Sequence, residues 1–389
     1  MKYKLEDICN RIYSGGTPST THKEYWNGDL PWLSSGETSQ RFVYTTEKFI
    51  TKEGVQKSST KYAKRNSIVM ASAGQGHTRG QVSFLMNDMY INQSVLVFEP
   101  EVSIVNPLYL YYNLDGRYEE LRQLSDGTST RGSLSGRIVK GMEIDLPNLS
   151  VQGKIVSVLY DIDKKIENNN QINRNLSEQA SAYYENWIMS LTGEEVELSK
   201  VIDVRDGTHA SPKPQDEGYP LVTSKHLFEY DVDLESPNKI SQDDYDKINE
   251  RSKVAYHDVL MSMIGTVGFV SFISRQEINF AIKNVALFRT SQREELAYYF
   301  LLFLKSKDAQ QYIKSCMAGS TQQYISLSEL RKIPIIVPGK EIKEFNLVVK
   351  PIIDMICANV RENGQLSELR DTLLTKLMSG ELDVSNLDI

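Results

Sequence analysis

The most regular pattern along the chain is a stripe of mostly apolar positions between residues 155 and 187, spaced alternately by four and three residues. This spacing predicts the seam of a coiled coil, in which one face of a helix packs on a partner helix. The pattern recurs about 190 residues later, with a pair of asparagines in the same place. The first set is Ile155, Leu159, Ile162, Ile166, Asn169, Asn173, Leu176, Ala180, Tyr183 and Trp187, and the second is Phe345, Val349, Ile352, Ile356, Asn359, Asn363, Leu366, Arg370, Leu373 and Leu377.

Asparagine inside a seam costs stability but fixes the register of the helices, because a slipped helix would leave the amide against leucine. We therefore expect the two helices to pair with each other; the alternative is that each packs only on its own globular domain. Pro351 cannot donate to the helical ladder, so the second helix should either start near it or kink there. The predicted register residues are Asn169, Asn173, Asn359 and Asn363.

The segments before the two helices also repeat each other. Residues 67–74 (SIVMASAG) match 258–265 (DVLMSMIG), and the hydroxyl-rich loop 127–135 matches 319–328. Each match is weak, but all of them occur in the same order along the chain. An internal repeat of this kind indicates two copies of one structural unit.

Both copies show the pattern of a mixed structure. Short runs rich in β-branched and aromatic residues, such as 95–98 and 285–288, predict strands, whereas 107–124 and 294–316 each predict a helix. We therefore expect an α+β fold with two globular domains in tandem, each followed by a long helix. The expected boundaries are 1–149 for the first domain, 150–192 for the central helix, 193–339 for the second domain, 340–380 for the C-terminal helix and 381–389 for a tail.

Composition and charge restrict the possible functions. Apolar residues make up 40% of the chain, and no apolar stretch is long enough to cross a bilayer. The N-terminus lacks the apolar core of a secretion signal, so we expect a cytoplasmic protein. Three distant cysteines and five histidines without ligand spacing argue against a disulfide framework or a metal site. With a net charge of -7, nucleic-acid binding would depend on local basic patches.

Catalytic motifs are not found in the sequence. A phosphate-binding loop of the form Gly-x-x-x-x-Gly-Lys-Ser/Thr is missing, which argues against ATP hydrolysis. Residues 106–109 (NPLY) come nearest to a methyltransferase motif, but they lack its second proline and an upstream glycine-rich turn. We therefore expect a chain that is not an enzyme.

Polar side chains that suit phosphates and base edges concentrate in the matched loops and in two basic stretches, residues 54–66 and 127–142. A solvated surface or a hydrogen bond that stabilises a loop is the alternative explanation for each of them. The candidate DNA-binding residues are Lys61, Lys64, Arg65, Gln75, His77, Thr78, Arg79, Thr128, Ser129, Thr130, Arg131, His209, Lys213, Lys225, His226, Ser320, Thr321, Gln322, Gln323 and Tyr324.

Two variable globular halves, each followed by a repeated long helix, resemble the specificity subunit of type I restriction-modification enzymes. The resemblance covers nearly the whole chain. Beyond the tandem architecture, it rests on the domain exits at Pro147 and Pro338, the helix ends 187–190 (WIMS) and 377–380 (LMSG), and the openings 15–18 (GGTP) and 206–209 (DGTH).

This resemblance implies two target recognition domains spaced by an antiparallel helix pair with pseudo-two-fold symmetry, and a chain without catalytic activity or a cofactor of its own. It implies double-stranded DNA and two modification subunits as partners. Those subunits would bind S-adenosylmethionine, and restriction subunits, where a system has them, would use ATP and Mg2+.

The matched loops carry different side chains, with Arg131 where the other half has Gln323, so we expect a bipartite and asymmetric DNA site. The helix seam, at about 1.5 Å per residue, bounds the separation of the half-sites at about 14 base pairs. Two other interpretations stay open: a fused restriction or modification enzyme with an unrecognised catalytic part, and a coiled-coil scaffold without a nucleic-acid role.

Overall fold

The computed structural model describes residues 1–74, 76–126, 133–319 and 323–385. The chain divides into two compact units. Unit 1 comprises Met1–Lys164 and Leu366–Ile389, and unit 2 comprises Lys165–Gln365. Each unit contains a globular part and one end of each of two long helices.

Unit 1 is built on two mixed sheets and a two-stranded ribbon. Its strands are β1 (Lys2–Lys4), β2 (Cys9–Ser14), β3 (Trp26–Leu33), β4 (Phe42–Val43), β5 (Lys48–Ile50), β6 (Lys61–Ala63), β7 (Ile68–Ala71), β8 (Val82–Leu85), β9 (Met89–Ile91), β10 (Val95–Pro100) and β11 (Glu143–Asp145). The larger sheet has the order β2-β10-β7-β8-β4, the second has the order β5-β3-β9-β6, and β1 pairs with β11. Neighbouring strands are antiparallel except for β4 with β8 and β3 with β9.

Strand β10 shows how the larger sheet divides the core of unit 1. Leu96 and Phe98 belong to one apolar cluster, whereas Val95 and Val97 belong to another. Successive side chains of a strand point to opposite faces, so both faces of this sheet are covered. The helices that follow are α1 (Lys52–Gln56), α2 (Pro107–Asp115), α3 (Tyr118–Asp126), α4 (Gly136–Lys140) and the long α5 (Leu149–Ile188).

Unit 2 repeats the elements of unit 1 with one difference: six strands precede its first helix and four follow before the next one, whereas both numbers are five in unit 1. Its strands are β12 (Glu195–Glu197), β13 (Val204–Asp206), β14 (Tyr219–Val222), β15 (Leu227–Phe228), β16 (Asp231–Val232), β17 (Lys239–Ile240), β18 (Val259–Ser262), β19 (Val270–Phe272), β20 (Ala281–Ile282), β21 (Val285–Phe288) and β22 (Pro334–Ile336). Its helices are α6 (Gln242–Ser252), α7 (Ala297–Lys305), α8 (Lys307–Ser315), α9 (Leu327–Arg331) and the long α10 (Ile342–Ser379). The sheet β13-β21-β18-β19 corresponds to β2-β10-β7-β8, and the ribbon β12-β22 corresponds to β1-β11.

The repeated elements confirm the predicted α+β architecture, with one correction. The sequence predicted a single helix over 107–124 and another over 294–316, but each region forms two consecutive α-helices. At the second break, Ser306 is extended with ψ 156°, and its side chain accepts a hydrogen bond from the backbone N–H of Ala309. A serine in this role ends one helix and begins the next, which hydrophobic periodicity does not reveal.

The long helices pack on each other within each unit. In unit 1 the apolar cluster includes Leu159 of α5 and Leu374 of α10, and in unit 2 it includes Ala180 of α5 and Phe345 of α10. The same clusters contain residues of the globular parts, so each helix end contacts both its partner helix and a globular domain.

The central asparagines lie across from each other in unit 2. Asn169 donates to Asn363 at 2.9 Å, and Asn359 donates to Asn173 at 2.7 Å. Rising numbers on α5 meet falling numbers on α10, so the helices are antiparallel. Helix α10 begins at Ile342 and continues through Pro351, which excludes a helix start at the proline. No described helix is both long and apolar enough to span a membrane.

Candidate nucleic-acid interface

Two loops lie side by side at the same place in each unit. We call residues 72–80 and 263–268 the glycine loops, and residues 127–134 and 318–325 the hydroxyl loops. In unit 1 the N–H of Leu134 donates to the carbonyl of Ser72 at 2.8 Å, and in unit 2 the N–H of Ile325 donates to the carbonyl of Met263 at 3.0 Å. The common fold therefore joins the described ends of the two loops in each unit. The sequence predicted DNA-binding residues in both loops of unit 1 and in the hydroxyl loop of unit 2, but none in residues 263–268.

Many of the predicted loop residues fall outside the part of the chain that the structure describes, and they stay predictions. They are Gln75, Thr128, Ser129, Thr130, Arg131, Ser320, Thr321 and Gln322.

Helix α3 holds the glycine loop of unit 1. The hydroxyl of Tyr118 donates to the carbonyl of His77 at 2.8 Å, and Arg122 Nη1 donates to the carbonyl of Gly76 at 2.8 Å. The His77 side chain is exposed and Thr78 is half-buried. The loop backbone is thus fixed from inside, while the His77 imidazole remains available to a ligand.

Three further candidates follow or belong to β6. Lys61, Lys64 and Arg65 are exposed. Asp88 fixes this segment, because it accepts the N–H of Arg65 at 2.8 Å and the hydroxyl of Tyr62 at 2.5 Å. The Tyr62 hydrogen bond, followed by the Arg65 amide, holds the pKa of the Asp88 carboxyl below its usual range.

Two candidates are buried. Arg79 is 7% exposed and forms an ion pair with Asp126, and His226 is 3% exposed. His226 Nδ1 accepts the N–H of Thr223 at 3.0 Å, and burial, reinforced by Lys225, lowers the pKa of its imidazole. Both side chains make their contacts within the protein, so the exposed candidates are better placed to contact DNA.

In unit 2 the imidazole of His209 is held between two polar side chains. Its Nε2 lies 2.9 Å from Asp206 Oδ2, and its Nδ1 lies 2.7 Å from Asn284 Oδ1. Asp206 also forms an ion pair with Arg251. The ring is exposed but oriented, which suits a side chain that presents one face to a ligand.

The remaining candidates of unit 2 are all exposed: Lys213, Lys225, Gln323 and Tyr324. Tyr324 is 46% exposed, and its backbone exchanges two hydrogen bonds of 2.9 Å with Ala318. The described ends of this hydroxyl loop therefore pair with each other, and the exposed Gln323 and Tyr324 offer an amide and an aromatic ring. An exposed tyrosine on a fixed backbone can stack on a base or a sugar.

The openings GGTP and DGTH have a structural explanation. A Cβ atom at Gly15 would lie 2.1 Å from the carbonyl oxygen of Ile91, and one at Gly207 would lie 2.2 Å from that of Ile282. Only glycine allows the two backbones to approach this closely. These motifs close the loops after β2 and β13, and they occur in both units because the backbone packing is the same.

The sequence reasoning missed a basic groove in unit 1. Arg11 on β2, Lys61 on β6, and Arg137 and Lys140 on α4 line this groove, with Tyr13 at its floor. The signal was present, because the stretch 127–142 is basic without an acidic residue, but the two residues of α4 were not singled out.

A buried ionic network in unit 1 was also missed. Asp163 of α5 accepts from Arg370 of α10 at 3.0 Å, from Tyr112 at 2.7 Å and from Arg41 at 3.3 Å. Arg41 also donates to Asp115 at 2.8 Å. Burial raises the pKa of Asp115, with Arg41 opposing the shift. The network joins the two long helices of unit 1 to its globular part.

Within the described ranges, no group of His, Cys, Asp or Glu side chains is arranged to hold a metal ion. The cysteines are free thiols, and Cys9 and Cys357 are buried. Burial raises the pKa of both thiols to about 12, which makes them poor nucleophiles at neutral pH.

Comparison with known proteins identifies the family. The family model described as type I restriction modification DNA specificity domain matches residues 1–178 and again 192–347. The MjaIX specificity subunit of Methanocaldococcus jannaschii is 29% identical over 99% of this chain and 94% of its own length. The HindI specificity subunit of Haemophilus influenzae is 24% identical over 83% of this chain and 88% of its own length.

The fold agrees with this match. A crystal structure of the type I restriction-modification S subunit from M. genitalium superimposes with a TM-score of 0.58 at 16% sequence identity, covering 97% of this chain and 95% of that one. Two matches of the same family model, one to each copy of the repeat, cover most of the sequence. The chain therefore belongs to the type I restriction-modification DNA specificity family and is a specificity subunit with two such domains in tandem.

Proposed function

We propose that each unit of this specificity subunit reads one half of a bipartite, asymmetric DNA site through its paired glycine and hydroxyl loops. The observation that carries the proposal is the equivalent backbone hydrogen bond between the loops in both units, combined with different exposed side chains among the described loop residues. One unit presents His77, whereas the other presents Gln323 and Tyr324. A shared frame with different contact groups suits two readers of different sequences.

The proposal includes the partners of the complex. Double-stranded DNA and two modification subunits would assemble with this chain, and restriction subunits would join where a system has them. In that arrangement S-adenosylmethionine belongs to the modification subunits, ATP and Mg2+ belong to the restriction subunits, and this chain contributes no catalytic group. Such a complex would act in the cytoplasm, where the DNA is.

The domain boundaries inferred from the sequence also remain part of the proposal. Residues 1–149 and 193–339 would be the two recognition domains, and residues 150–192 and 340–380 the helices between and after them. The tail would be 381–389. Of these segments, the helices α5 and α10 have the lengths needed to separate two readers.

A domain exchange tests the two-reader proposal. Residues 1–147 are replaced by the corresponding segment of a relative, and the chimaera is expressed with its modification subunit. Methylome sequencing of the host should then show a change in one half of the modified site and none in the other. A simultaneous change in both halves would contradict the assignment of one half-site to each unit.

The helix pair would set the length of the unread spacer between the half-sites. One heptad inserted after Leu176 together with one after Met355, the opposite point of α10, keeps both asparagine pairs in register and lengthens the seam by about 10 Å. The methylated sites should then carry a longer spacer, whereas insertion in one helix alone should impair folding. An unchanged spacer in a folded double-insertion variant would remove this role from the helices.

A further inference from the structure

The basic groove of unit 1 is formed by two adjoining cavities of about 460 Å³ and 670 Å³. Both are lined by Tyr13 on β2 and by Lys140 on α4. One extends toward Lys61 on β6, and the other toward Arg137 and Leu96. Leu96 lies on β10 and pairs with Met70 of β7, the strand that leads into the glycine loop.

Cations dominate the groove. Arg137, Lys140 and Lys61 form no ion pair within the described part of the chain, and Arg11 is 60% exposed although it lies 3.4 Å from Glu99. Glu6 is the acidic residue on the groove wall. The four cations therefore outnumber the two carboxylates, Glu6 and Glu99.

Tyr13 organises two of these cations. The guanidinium carbon of Arg11 lies 4.5 Å from the centre of its ring, and Lys61 Nζ lies 5.8 Å from it. The Tyr13 hydroxyl is 2.8 Å from Glu99 Oε1, and burial together with this carboxylate holds the pKa of the phenol well above its usual range. The uncharged Tyr13 ring thus contacts both cations through cation–π interactions and does not neutralise their charge.

In the described part of unit 2, the positions that correspond to Arg137 and Lys140 carry a neutral residue and an arginine engaged within the protein. Helix α9 places Ser328 and Arg331 where α4 has Arg137 and Lys140. The guanidinium of Arg331 donates to the carbonyl of Val204 at 2.8 Å. On the adjacent strand, Arg205 is paired with Asp203 at 2.9 Å.

We infer that the groove of unit 1 binds the phosphodiester backbone of the DNA beside the half-site that unit 1 reads, and that unit 2 lacks such a backbone clamp. The inference rests on the proposed function. Three cations without an ion pair in the described part of the chain, together with the exposed Arg11, match a polyanion, and contacts of lysine and arginine to phosphate carry no sequence information. The salt-dependent part of the affinity then comes mainly from unit 1, although the net charge of the chain is -7.

The test measures DNA binding by fluorescence anisotropy with the full chain assembled with its modification subunits. The wild type is compared with the double variant Arg137→Ala, Lys140→Ala, on cognate and scrambled duplexes, from low salt to about 150 mM salt. The variant should lose about tenfold in affinity for both duplexes, and its salt slope should fall by about 2, because two phosphate contacts are removed. Lys61→Ala should show about half of this decrease in slope.

Lys52→Ala is the matched control, because Lys52 is an exposed lysine of the same unit that lies on α1 outside the groove. It should leave both the affinity and the salt slope unchanged. The charge-preserving pair Arg137→Lys, Lys140→Arg should keep the wild-type slope, which separates loss of charge from loss of folding.

Three outcomes would overturn the inference: an unchanged salt slope in the double alanine variant, an equal loss in the Lys52 control, or a loss confined to the cognate duplex, which would make the groove a base reader. Failure of the proposed function looks different. In that case the wild-type complex would not distinguish the cognate from the scrambled duplex at any salt concentration.

Discussion

The two ends of the helix pair carry chemically different side chains at equivalent buried positions. In unit 1 the seam contains Asp163 and Arg370, which are 4% and 8% exposed and form an ion pair. The repeat places Ile353 and Ala180 at the equivalent positions of unit 2, and both are fully buried. One backbone arrangement therefore accepts either a buried ion pair or a pair of apolar side chains.

The difference lies in what each pair requires from the globular part. The Asp163 carboxylate needs Tyr112 and Arg41 to satisfy its oxygens, so unit 1 attaches its globular part to the helices through directed hydrogen bonds. Unit 2 attaches its globular part through aromatic packing, with the ring centres of Trp187 and Tyr299 5.7 Å apart, and through half-buried bonds such as that from the Tyr298 hydroxyl to Asp354 at 2.9 Å. Unit 1 therefore differs in placing the charged pair inside the helix seam itself, where a lost partner is costly.

The largest effect should come from removing one member of the ion pair. Asp163→Ala leaves the buried Arg370 with only the exposed Asp371 as a carboxylate partner, and it leaves Arg41 with only Asp115. We expect unit 1 to lose about 3 kcal/mol of stability, the lower end of the usual cost of breaking a buried ion pair, because each cation keeps one carboxylate. Denaturant unfolding followed by hydrogen exchange in α2 and β7 measures this loss.

The control transplants the apolar pair of unit 2 into unit 1. Asp163→Ile combined with Arg370→Ala removes both charges and leaves Arg41 with Asp115. This double variant should recover most of the lost stability, because replacing a whole buried ion pair by apolar groups is often close to neutral. If it were as unstable as Asp163→Ala alone, the loss would come from the Tyr112 and Arg41 contacts rather than from the unpaired charge.

The close approach of backbones in the two openings should be equally sensitive in both units. Gly15→Ala and Gly207→Ala each place a methyl group against a carbonyl oxygen of the neighbouring strand. We expect each to destabilise its unit by about 1–3 kcal/mol, the range for a side chain forced into occupied space. Thermal unfolding with hydrogen exchange assigns each loss to its unit.

Gly364→Ala provides the matched control for these substitutions. Nothing lies within 4 Å of a Cβ atom at this position of α10. An alanine there should stabilise the helix by about 1 kcal/mol. If all three substitutions destabilised the protein equally, the close approach of the backbones would not be the reason why both openings contain glycine.

The sequence predicted the long helices well because their signal is repeated at regular spacing. Asn169 and Asn363 could be identified for the same reason, since the repeat places an asparagine at the same seam position of the other helix in each case. Asp163 stands one position after the seam residue Ile162 and resembled a surface residue. Its burial depends on Arg41, which is 122 positions away, and no local pattern encodes that contact.

The candidate site was predictable only in part. The matched loops could be located from the internal repeat, because both copies keep the same backbone hydrogen bonds. The burial of Arg79 and His226 could not, because polar residues in a glycine-rich or turn segment are usually exposed. The basic groove depends on β2, β6 and α4 meeting in space, and these elements are far apart along the chain.

A smaller effect is expected from the asparagine layer in unit 2. Replacing Asn169, Asn173, Asn359 and Asn363 by leucine removes both amide pairs of the layer and adds apolar packing, so stability should change by no more than about 1 kcal/mol, toward higher stability. The cost should appear as loss of a single register, visible as doubled NMR signals from α5 and α10. One set of signals with wild-type spacer length would remove the register role from these residues.

The smallest predicted effect is a difference between the two units in how their stability depends on pH. Unit 2 contains His226 and His257, and burial, followed by Lys225 and Lys350 respectively, lowers the pKa of both imidazoles. Asp233 opposes the shift of His226, and Asp354 opposes that of His257.

A folded-state pKa below the unfolded value gives stability that is present above the unfolded pKa and is lost as the pH falls through the folded pKa. Between about pH 7 and pH 5, unit 2 should therefore lose stability through its histidines. The histidines of unit 1, His22 and His77, are exposed. Burial raises the pKa of Asp115 in unit 1 and of Asp258 in unit 2. Such carboxyls stabilise the fold on acidification, and this effect, opposite to that of the histidines, occurs in both units.

Hydrogen exchange at both pH values measures the difference. Amides of β18 and β19 should lose more protection on acidification than those of β7 and β10. His226→Asn supplies an oxygen for the Thr223 N–H without a titratable group, so it should reduce the acid sensitivity of unit 2. Equal loss of protection in both units, or an unchanged response in His226→Asn together with a His257 variant, would show that carboxyl groups rather than the buried histidines determine the acid response.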